Sequence, residues 1–492
     1  MKILFAASEC APLAKTGGLA DVVGALPREL TRLGHEVTVV LPFYARIRRQ
    51  IAGEPKYAAR SITIPFRYYN RFVGLVDGGQ RDGVQFYFVD CPELFDRAEL
   101  YGPAGGEYSD NAERFGLFCR ATIEASKLLG APEVFHVHDW QAALIPVYLR
   151  TTYAADPALQ GAATVLTLHN AAYQGKFPPN TTEDLLFPWD LFTMDKVEHY
   201  DRFNFLKGGI VFADKLTTVS RKYAEEIQTA EFGEQLEGVL RGRAGDLRGI
   251  LNGVDSTLWN PATDGHLAAH YTAENLAGKQ ACRADLLHAF GLEHVAASTP
   301  VVGIVSRLVT QKGFDLVAAI AEELAARDLA VVALGAGDPY YEKLLRGWAF
   351  RHPAKVAVRL GYDETLAHKI EAGADLFLMP SRYEPCGLNQ IYSLKYGTVP
   401  IVRATGGLDD TIEEWDAAQE TGTGFKFAGY HPRDLLAAID RALAAFRDQK
   451  VWTQLMRNGM AKEYGWKKAA RAYVHVYEEA AQRGPWPLNR PS

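Results

Sequence analysis

Arg307 and Lys312 lie in "SRLVTQKG", between the apolar run "TPVVGIV" and the amphipathic stretch "GFDLVAAIAEELAARD". Two cations on a strand-to-helix turn suit a phosphate or diphosphate, because Arg offers a planar fork of donors and Lys a point charge. Solvated loop charges are the plain alternative. A second turn of this kind is "PSRYEPCGLNQIYSLKYG". There Pro385 and Gly387 shape a loop, and Leu388 opens a helix whose first N–H groups have no intrahelical partner. Glu384 at the tip could accept from sugar hydroxyls or steady positive charge on a reacting carbon. An exposed loop acid is its plain reading, and Cys386 reads as a small packed residue. "RATGGLDD" repeats the arrangement, with Gly406 and Gly407 before another helix start.

Near the N-terminus, "KTGGLADVVGALPREL" places Lys15, Gly17 and Gly18 between a strand-like run and a helix. Two readings stand. One is a tight turn with a solvated lysine. The other is an anion site, with backbone N–H groups, a helix N-terminus and Lys15 all supplying positive charge. Neither GxGxxG nor GxxxxGK[ST] occurs at this loop. "HVHDW" and "LTLHN" set His136, His138 and His169 near strand ends. The two histidines of "HVH" share one face of a strand and have no acidic cluster beside them, so they read as structural. Asp139 and His169 lie nearer the expected functional face. No Asp-x-Asp occurs in the chain. The usual carboxylate clamp for a divalent ion on a diphosphate is therefore missing, and basic side chains and helix N-termini must neutralise any diphosphate bound.

The elements that must position these residues are strands and helices in alternation. From Thr299 onward, short β-branched runs ("TPVVGIVSRL", "LAVVALGAG", "AKVAVRLG", "ADLFLMPS", "TVPIVRA") alternate with amphipathic stretches, including a helix expected over "GLDDTIEEW". That pattern predicts βα units and a parallel sheet buried on both faces. Ligands on such sheets bind beyond the carboxyl ends of the strands, where the residues above fall. The first half alternates less regularly. "LADVVGALPRELTRLG" reads as a helix made imperfect by Pro27, and "ITIPFRYYNRFVGLV" and "VQFYFVD" read as antiparallel decoration. The stretch 241–265 breaks the rhythm with Gly, Asn, Pro and charge. We therefore expect two doubly wound domains, 1–248 and 249–465, with a cleft between them. A last helix over 466–492 packs on its own domain or crosses back to the first.

The 492 residues are too many for one compact core. Hydrophobic residues make up 48% and the formal net charge is −6, so nothing draws the chain as a whole to nucleic acid or to an anionic membrane. Five widely spaced cysteines without a CxxC pair suggest neither a disulfide framework nor a zinc site. No apolar run is long enough for a signal peptide or a membrane span, so a cytoplasmic location is expected. Self-association is left open.

Taken together, "KTGGLADVVGALP", "HVHDW", "LTLHN", "LNGVD", "SRLVTQKG" and "PSRYEPCGLNQIYSLKYGTVPIVRATGGLDDT" resemble the bacterial glycogen synthases and plant starch synthases that use ADP-glucose. The motifs occur in this order over almost the whole chain. The resemblance implies an α/β GT-B fold, two Rossmann-like domains facing a deep cleft. It also implies a retaining glucosyltransferase that lengthens an α-1,4-glucan such as glycogen, without a metal or other cofactor. Lys15 would contact the diphosphate or glucosyl part of ADP-glucose, with the Gly17–Gly18 loop around it, which favours the anion-site reading. Asp21 and Asn252 would lie near the nucleotide, and Tyr362 of "LGYDE" would stack on adenine. Arg307 and Lys312 would hold the diphosphate and stabilise it as it leaves. Glu384 would face the donor sugar, with Cys386, Gly387 and Leu388 in the same donor-binding loop and Thr405, Gly406 and Gly407 in the next. His169 would sit under the sugar, and Tyr101, Asn111 and Asp139 would face the acceptor. Two departures stand out. Position 392 is Tyr where many related retaining transferases carry a second Glu that reads the ribose. Position 389 is Asn where some relatives carry Thr.

No obvious nucleophile presents itself, which favours front-face attack over a covalent intermediate, with the leaving phosphate accepting the acceptor's proton. Rival readings are a UDP-sugar transferase or a nucleotide-sugar epimerase on the same fold, and a non-catalytic glucan-binding scaffold.

Overall fold

The computed structural model describes residues 1–51, 53–103 and 106–482. In the first half the strands are β1 (Lys2–Ala6), β2 (Glu36–Pro42), β3 (Tyr57–Pro65), β4 (Asn70–Arg81), β5 (Val84–Asp90), β6 (Val134–His138) and β7 (Ala163–Leu168). A two-residue pair follows, β8 (Lys176–Phe177) and β9 (Phe203–Asn204), and then β10 (Lys215–Thr218) and β11 (Leu247–Gly249). The second half holds β12 (Val301–Val305), β13 (Ala330–Gly335), β14 (Val356–Leu360), β15 (Leu376–Met379), β16 (Val399–Arg403) and β17 (Phe425–Phe427).

The chain forms two compact units. The first is Met1–Val219, Ala224–Asn252 and Trp466–Ser492; the second is Ser220–Tyr223 and Gly253–Gly465. The chain thus passes into the second unit at 252/253 rather than at 248/249. The expected C-terminal segment 466–492 is helical over Trp466–Ala481 and groups with the first unit, while 483–492 lie outside the described residues.

In the second unit the sheet runs β14-β13-β12-β15-β16-β17, every neighbour parallel. Counted from β12 this is the order 3-2-1-4-5-6, a doubly wound sheet that switches direction between β12 and β15. Its strands are apolar on both faces because helices cover both. One buried cluster includes Trp348, Leu376, Ile401 and Leu435, and the other includes Ile370, Phe377 and Leu408.

In the first unit the order is β11-β10-β7-β6-β1-β2-β5-β4-β3. Here "VQFYFVD", expected as antiparallel decoration, pairs parallel with β2 and belongs to the wound core; β4 alone runs against its neighbours β3 and β5. Strand direction follows from pairing across the sheet, which a local run of β-formers does not encode. With β4 and β3 set aside as an edge hairpin, the parallel strands again wind 3-2-1-4-5-6-7, switching between β1 and β6.

Two helices differ from expectation. Pro27 does not break the first one, which runs unbroken over Gly18–Arg32 with Pro27 buried. The helix expected over "GLDDTIEEW" stops at Thr411. Ile412 turns extended there, and the amide of Trp415 donates to the carbonyl of Gly424, which draws the segment into a loop pairing.

Candidate functional site

In the second unit, two loops follow the strands on either side of the switch point. The loop after β12 carries Arg307 and Lys312, and the loop after β15 carries Ser381 to Leu388. Backbone and side chain knit them together. The amide of Arg382 donates to the carbonyl of Gln311 at 2.8 Å, and Gln311 Nε2 donates to the carbonyl of Tyr383 at 3.3 Å. Gly313 has φ +77°, and a Cβ there would lie 2.0 Å from the carbonyl oxygen of Pro380, so the close approach requires glycine. Asn389, the departure noted above, donates from Nδ2 to the carbonyl of Val305 at 2.8 Å and ties the helix after the loop to β12.

Lys312 Nζ meets Glu384 Oε2 at 2.5 Å, with both side chains largely buried, and Ser381 Oγ donates to the same oxygen at 3.0 Å. Arg307 is exposed. A paired lysine, an exposed arginine and a held carboxylate therefore stand at the switch point. Cys386 is buried, and Gly387 and Leu388 are half-buried. Tyr362 follows β14 and is 86% exposed. Behind the Glu384 loop, Thr405, Gly406 and Gly407 are buried. The first-turn N–H groups of their short helix do not await an anion. Gly407 donates to the carbonyl of Glu384, and Leu408 and Asp409 donate to that of Thr405. This corrects the expectation of a free helix end there. The "TGG" glycines serve packing, since a Cβ on Gly406 or Gly407 would come within 1.9 Å of the carbonyl oxygen of Glu384 or Cys386.

Tyr392, at the position of the missing second Glu, packs its ring on Trp259 at 3.9 Å and 7°. Trp259 stacks with its other face on His368 at 3.7 Å and 8°. Nothing in the local sequence links Trp259 to Tyr392.

In the first unit the switch point lies between β1 and β6, and the same geometry recurs. The loop after β1 ends in Lys15 to Gly18, all exposed. Glu9, which the sequence reading missed, organises it. This buried carboxylate accepts from the amides of Thr16 and Gly17, from Thr16 Oγ1 at 2.6 Å and from the Tyr101 hydroxyl at 2.6 Å. The amides of Thr16 and Gly17 are therefore engaged, and the loop's remaining contribution to an anion is the start of the Gly18–Arg32 helix together with Lys15. Lys15 Nζ pairs with Asp21 at 2.6 Å. Gly17 has φ −152° and ψ −171°, open to any residue, and a Cβ on Gly17 or Gly18 would meet nothing within 4 Å. Neither backbone nor packing among the described residues needs glycine here.

Asp139 begins beyond β6 with φ +52°, and its carboxylate accepts from the amide of His169 at 2.7 Å. Burial pushes this carboxyl up to about 7 and lowers His169 to about 3, so the imidazole is neutral. His138 Nδ1 and His169 Nε2 lie 3.0 Å apart. His136, expected to be structural, sits between Thr167 Oγ1 at 2.6 Å and the Tyr477 hydroxyl at 2.8 Å. Asn111, expected to face the acceptor, is instead fully buried. Its Nδ2 donates to the carbonyl of Tyr101 and its Oδ1 accepts from Arg114. Asn252 closes the unit with a buried Oδ1 that has no hydrogen-bond partner among the described residues. Among the described residues no three His, Cys, Asp or Glu side chains group as metal ligands, and no helix is long and apolar enough to cross a membrane.

Residues 2–242 match the family described as the starch synthase catalytic domain, and residues 293–458 match glycosyl transferases group 1. Two doubly wound units with these matches define a glycosyltransferase of the GT-B fold. The chain is 58% identical to a glycogen synthase of Koribacter versatilis, over 99% of this chain and 100% of that one. It is 42% identical to a glycogen synthase of Bacillus cereus, over 97% and 99% of the two chains. The chain belongs to the glycogen synthase family. Among solved structures, the catalytic domain of starch synthase IV from Arabidopsis thaliana, bound to ADP and acarbose, is similar with a TM-score of 0.86 and 32% identity, over 98% of this chain and 99% of that one. Sucrose-phosphate synthase from Thermosynechococcus elongatus shares the fold at a TM-score of 0.61 and 18% identity, over 97% of this chain and 98% of that one.

Proposed function

We propose that this glycosyltransferase moves glucose from ADP-glucose to the 4-OH at the non-reducing end of an α-1,4-glucan, with retention at the anomeric carbon. The observation that carries the reading is the meeting of Lys312 and Glu384 on two loops at the switch point of the second unit, with Arg307 on the first of those loops. Family membership supports it, as does the ADP bound by the Arabidopsis relative.

The reaction places positive charge on the sugar and negative charge on the departing diphosphate. Arg307 and Lys312 stabilise the diphosphate, and the family resemblance adds Lys15 as a third cation. Each lysine waits on a carboxylate, Lys312 on Glu384 and Lys15 on Asp21, and so is held in place before the donor arrives. When Lys312 turns to the diphosphate, the Glu384 carboxylate is left beside the sugar, where it steadies the oxocarbenium-like carbon. We assign the acceptor's proton to the leaving phosphate, in a front-face attack, and we assign no metal or other cofactor. We place the enzyme in the cytoplasm, where its five buried cysteines, none of them in a disulfide, remain thiols.

The test is transfer of labelled glucose from ADP-glucose to glycogen, with and without a chelator and against UDP-glucose. Metal-free transfer with preference for ADP-glucose is the expected result. Chelator-sensitive activity, or a glucosyl adduct trapped on Asp139, overturns the mechanism.

A further inference from the structure

The two histidines of "HVH" close β6, and the structure gives them different parts. Both rings are fully buried. His136 is enclosed between Thr167 Oγ1 and the Tyr477 hydroxyl, so both of its ring nitrogens are engaged inside the unit. His138 lies nearer the carboxyl end of the sheet, opposite Thr167 of β7. Phe5 of β1 stacks on its ring with centroids 5.4 Å apart and planes at 24°, and the His136 ring lies 4.2 Å away. The His138 imidazole is therefore clamped. Its Nδ1 lies 3.0 Å from Nε2 of His169, the residue that follows β7. Its own Nε2 is buried and has no hydrogen-bond partner among the described residues.

Burial holds both rings neutral, so each carries one N–H, and a single proton lies between them. If His169 donated it, His138 would keep its own N–H on Nε2, a buried donor with nothing to receive it. If His138 donates it, the atom left unmet is a lone pair. Buried N–H groups without an acceptor are rare in folded proteins, and unmet acceptors are less so. The donation from His138 also decides the far side of His169. Its Nε2 accepts, so its proton sits on Nδ1. Among the described residues nothing hydrogen-bonds to that Nδ1, and the ring keeps 9% of its surface. The main chain of His169 is fixed separately, because its amide donates to the Asp139 carboxylate at 2.7 Å.

We propose that His138 is a positioning residue: its Nδ1–H, donated to His169 Nε2, fixes the orientation and tautomer of His169, so that His169 presents Nδ1–H to a hydroxyl oxygen of the glucosyl donor. An uncharged N–H suits a hydroxyl, whereas the diphosphate is served by Arg307 and the lysines. His138 itself, fully buried, touches no substrate. That the hydroxyl belongs to ADP-glucose rests on the proposed function; the tautomer rests on the His138–His169 geometry alone.

The tautomer is read in the unliganded wild type by nitrogen NMR of histidine-labelled enzyme, with His169 assigned by difference from His169→Gln. A protonated Nδ1 and a bare Nε2 are expected, and a proton on Nε2 overturns the proposal. Catalysis is read with His138→Asn and His138→Leu. These side chains have nearly the same shape and leave the same gap, but only the Asn amide sets an N–H where His138 Nδ1 stood. His138→Leu should lower kcat/KM for ADP-glucose about tenfold, the scale of one lost hydrogen bond. His138→Asn should recover most of that loss at an equal Tm. Singly deoxygenated ADP-glucoses give a readout that packing alone does not move. The analogue lacking the hydroxyl that His169 meets is a poor donor for the wild type and for His138→Asn, and its penalty shrinks in His138→Leu. Equal losses in the two variants, or an unchanged penalty, overturn the proposal. A wild type with the expected tautomer that transfers no glucose from ADP-glucose would overturn the proposed function and leave the His138–His169 link standing.

Discussion

At the scale of single residues, the site contrasts one exposed cation with one enclosed ion pair. Arg307 is exposed, so Arg307→Ala should leave Tm within a degree or so of wild type, as surface substitutions do. It should still lower kcat by a factor of about 10²–10³, the cost of removing one donor that acts on developing charge. Lys312→Ala should match that loss and also destabilise, because it strands the Glu384 carboxylate in a largely buried place. Kinetics and thermal melts on the two variants separate the effects. Gly17→Ala is a sharper probe. Its Cβ meets open space, so stability should hold, and a fall in kcat/KM would come from what approaches the loop. The Asp139–His169 pair predicts a pH signature. His169, lowered to about 3, contributes stability that is present above its unfolded value near 6.5 and lost as pH falls. Asp139, raised to about 7, contributes stability present below 3.8 and lost as pH rises. Between about pH 4 and 6.5 the two slopes oppose each other. Asp139→Asn, which suits the left-handed backbone there, should therefore steepen the fall of Tm on acidification; a curve parallel to wild type would refute the pairing.

At the scale of elements, the loops are positioned by backbone packed against backbone. Gly407→Ala would drive a Cβ into the carbonyl of Cys386 and push the Glu384 loop off its seat. We expect a destabilisation of roughly 1–3 kcal/mol, as for overpacking, and a larger proportional loss of kcat. Gly347→Ala, in the Pro339–Arg351 helix, is the control. Its Cβ would meet only the Arg351 side chain at 3.5 Å, and helix propensity favours it by up to about 1 kcal/mol. Equal effects of the two substitutions, read by melts and by steady-state rates, would show that the close approach does not hold the loop. These contacts also explain what the sequence could and could not disclose. Five of the six strands of the second sheet were legible because each is a short apolar run bounded by turn residues, whereas the three-residue β17 was not. The positions of Arg307, Lys312 and Glu384 were legible because they follow those strands. The parallel pairing of β5, the early stop at Thr411, the service of Glu9 to the Lys15 loop and the stack of Trp259 on Tyr392 were not. The pairing of β5 and the stack on Trp259 depend on partners far along the chain, the other two on hydrogen bonds across a nearby loop, and no local period or spacing records any of them.

At the scale of the whole molecule, the chain does not finish where its second sheet is complete. It leaves the second unit after Gly465 and returns to the first as the helix Trp466–Ala481. That helix buries Trp466, Tyr473, Val476 and Tyr477. At roughly 1.5–3 kcal/mol for each large side chain, the burial is worth on the order of 6–12 kcal/mol. Such a sum is comparable with the entire stability of a typical domain, about 5–15 kcal/mol. Its polar contacts are specific as well. The Tyr477 hydroxyl meets His136 Nδ1, and Lys215 pairs with Glu479 at 2.8 Å. A chain ending at Gly465 should therefore lose the first unit's fold while the second unit, whose sheet and both buried clusters lie between 253 and 465, keeps its own. Hydrogen exchange should show amides of β1, β6 and β7 unprotected in that chain, and those of β12, β13 and β15 still slow. Tyr477→Phe, which removes only the hydroxyl, should cost about 1 kcal/mol and spare the fold. Uniform loss of protection across both sheets in the truncated chain would mean that the two units do not fold as separate bodies and that the returning helix supports the molecule as one cooperative structure.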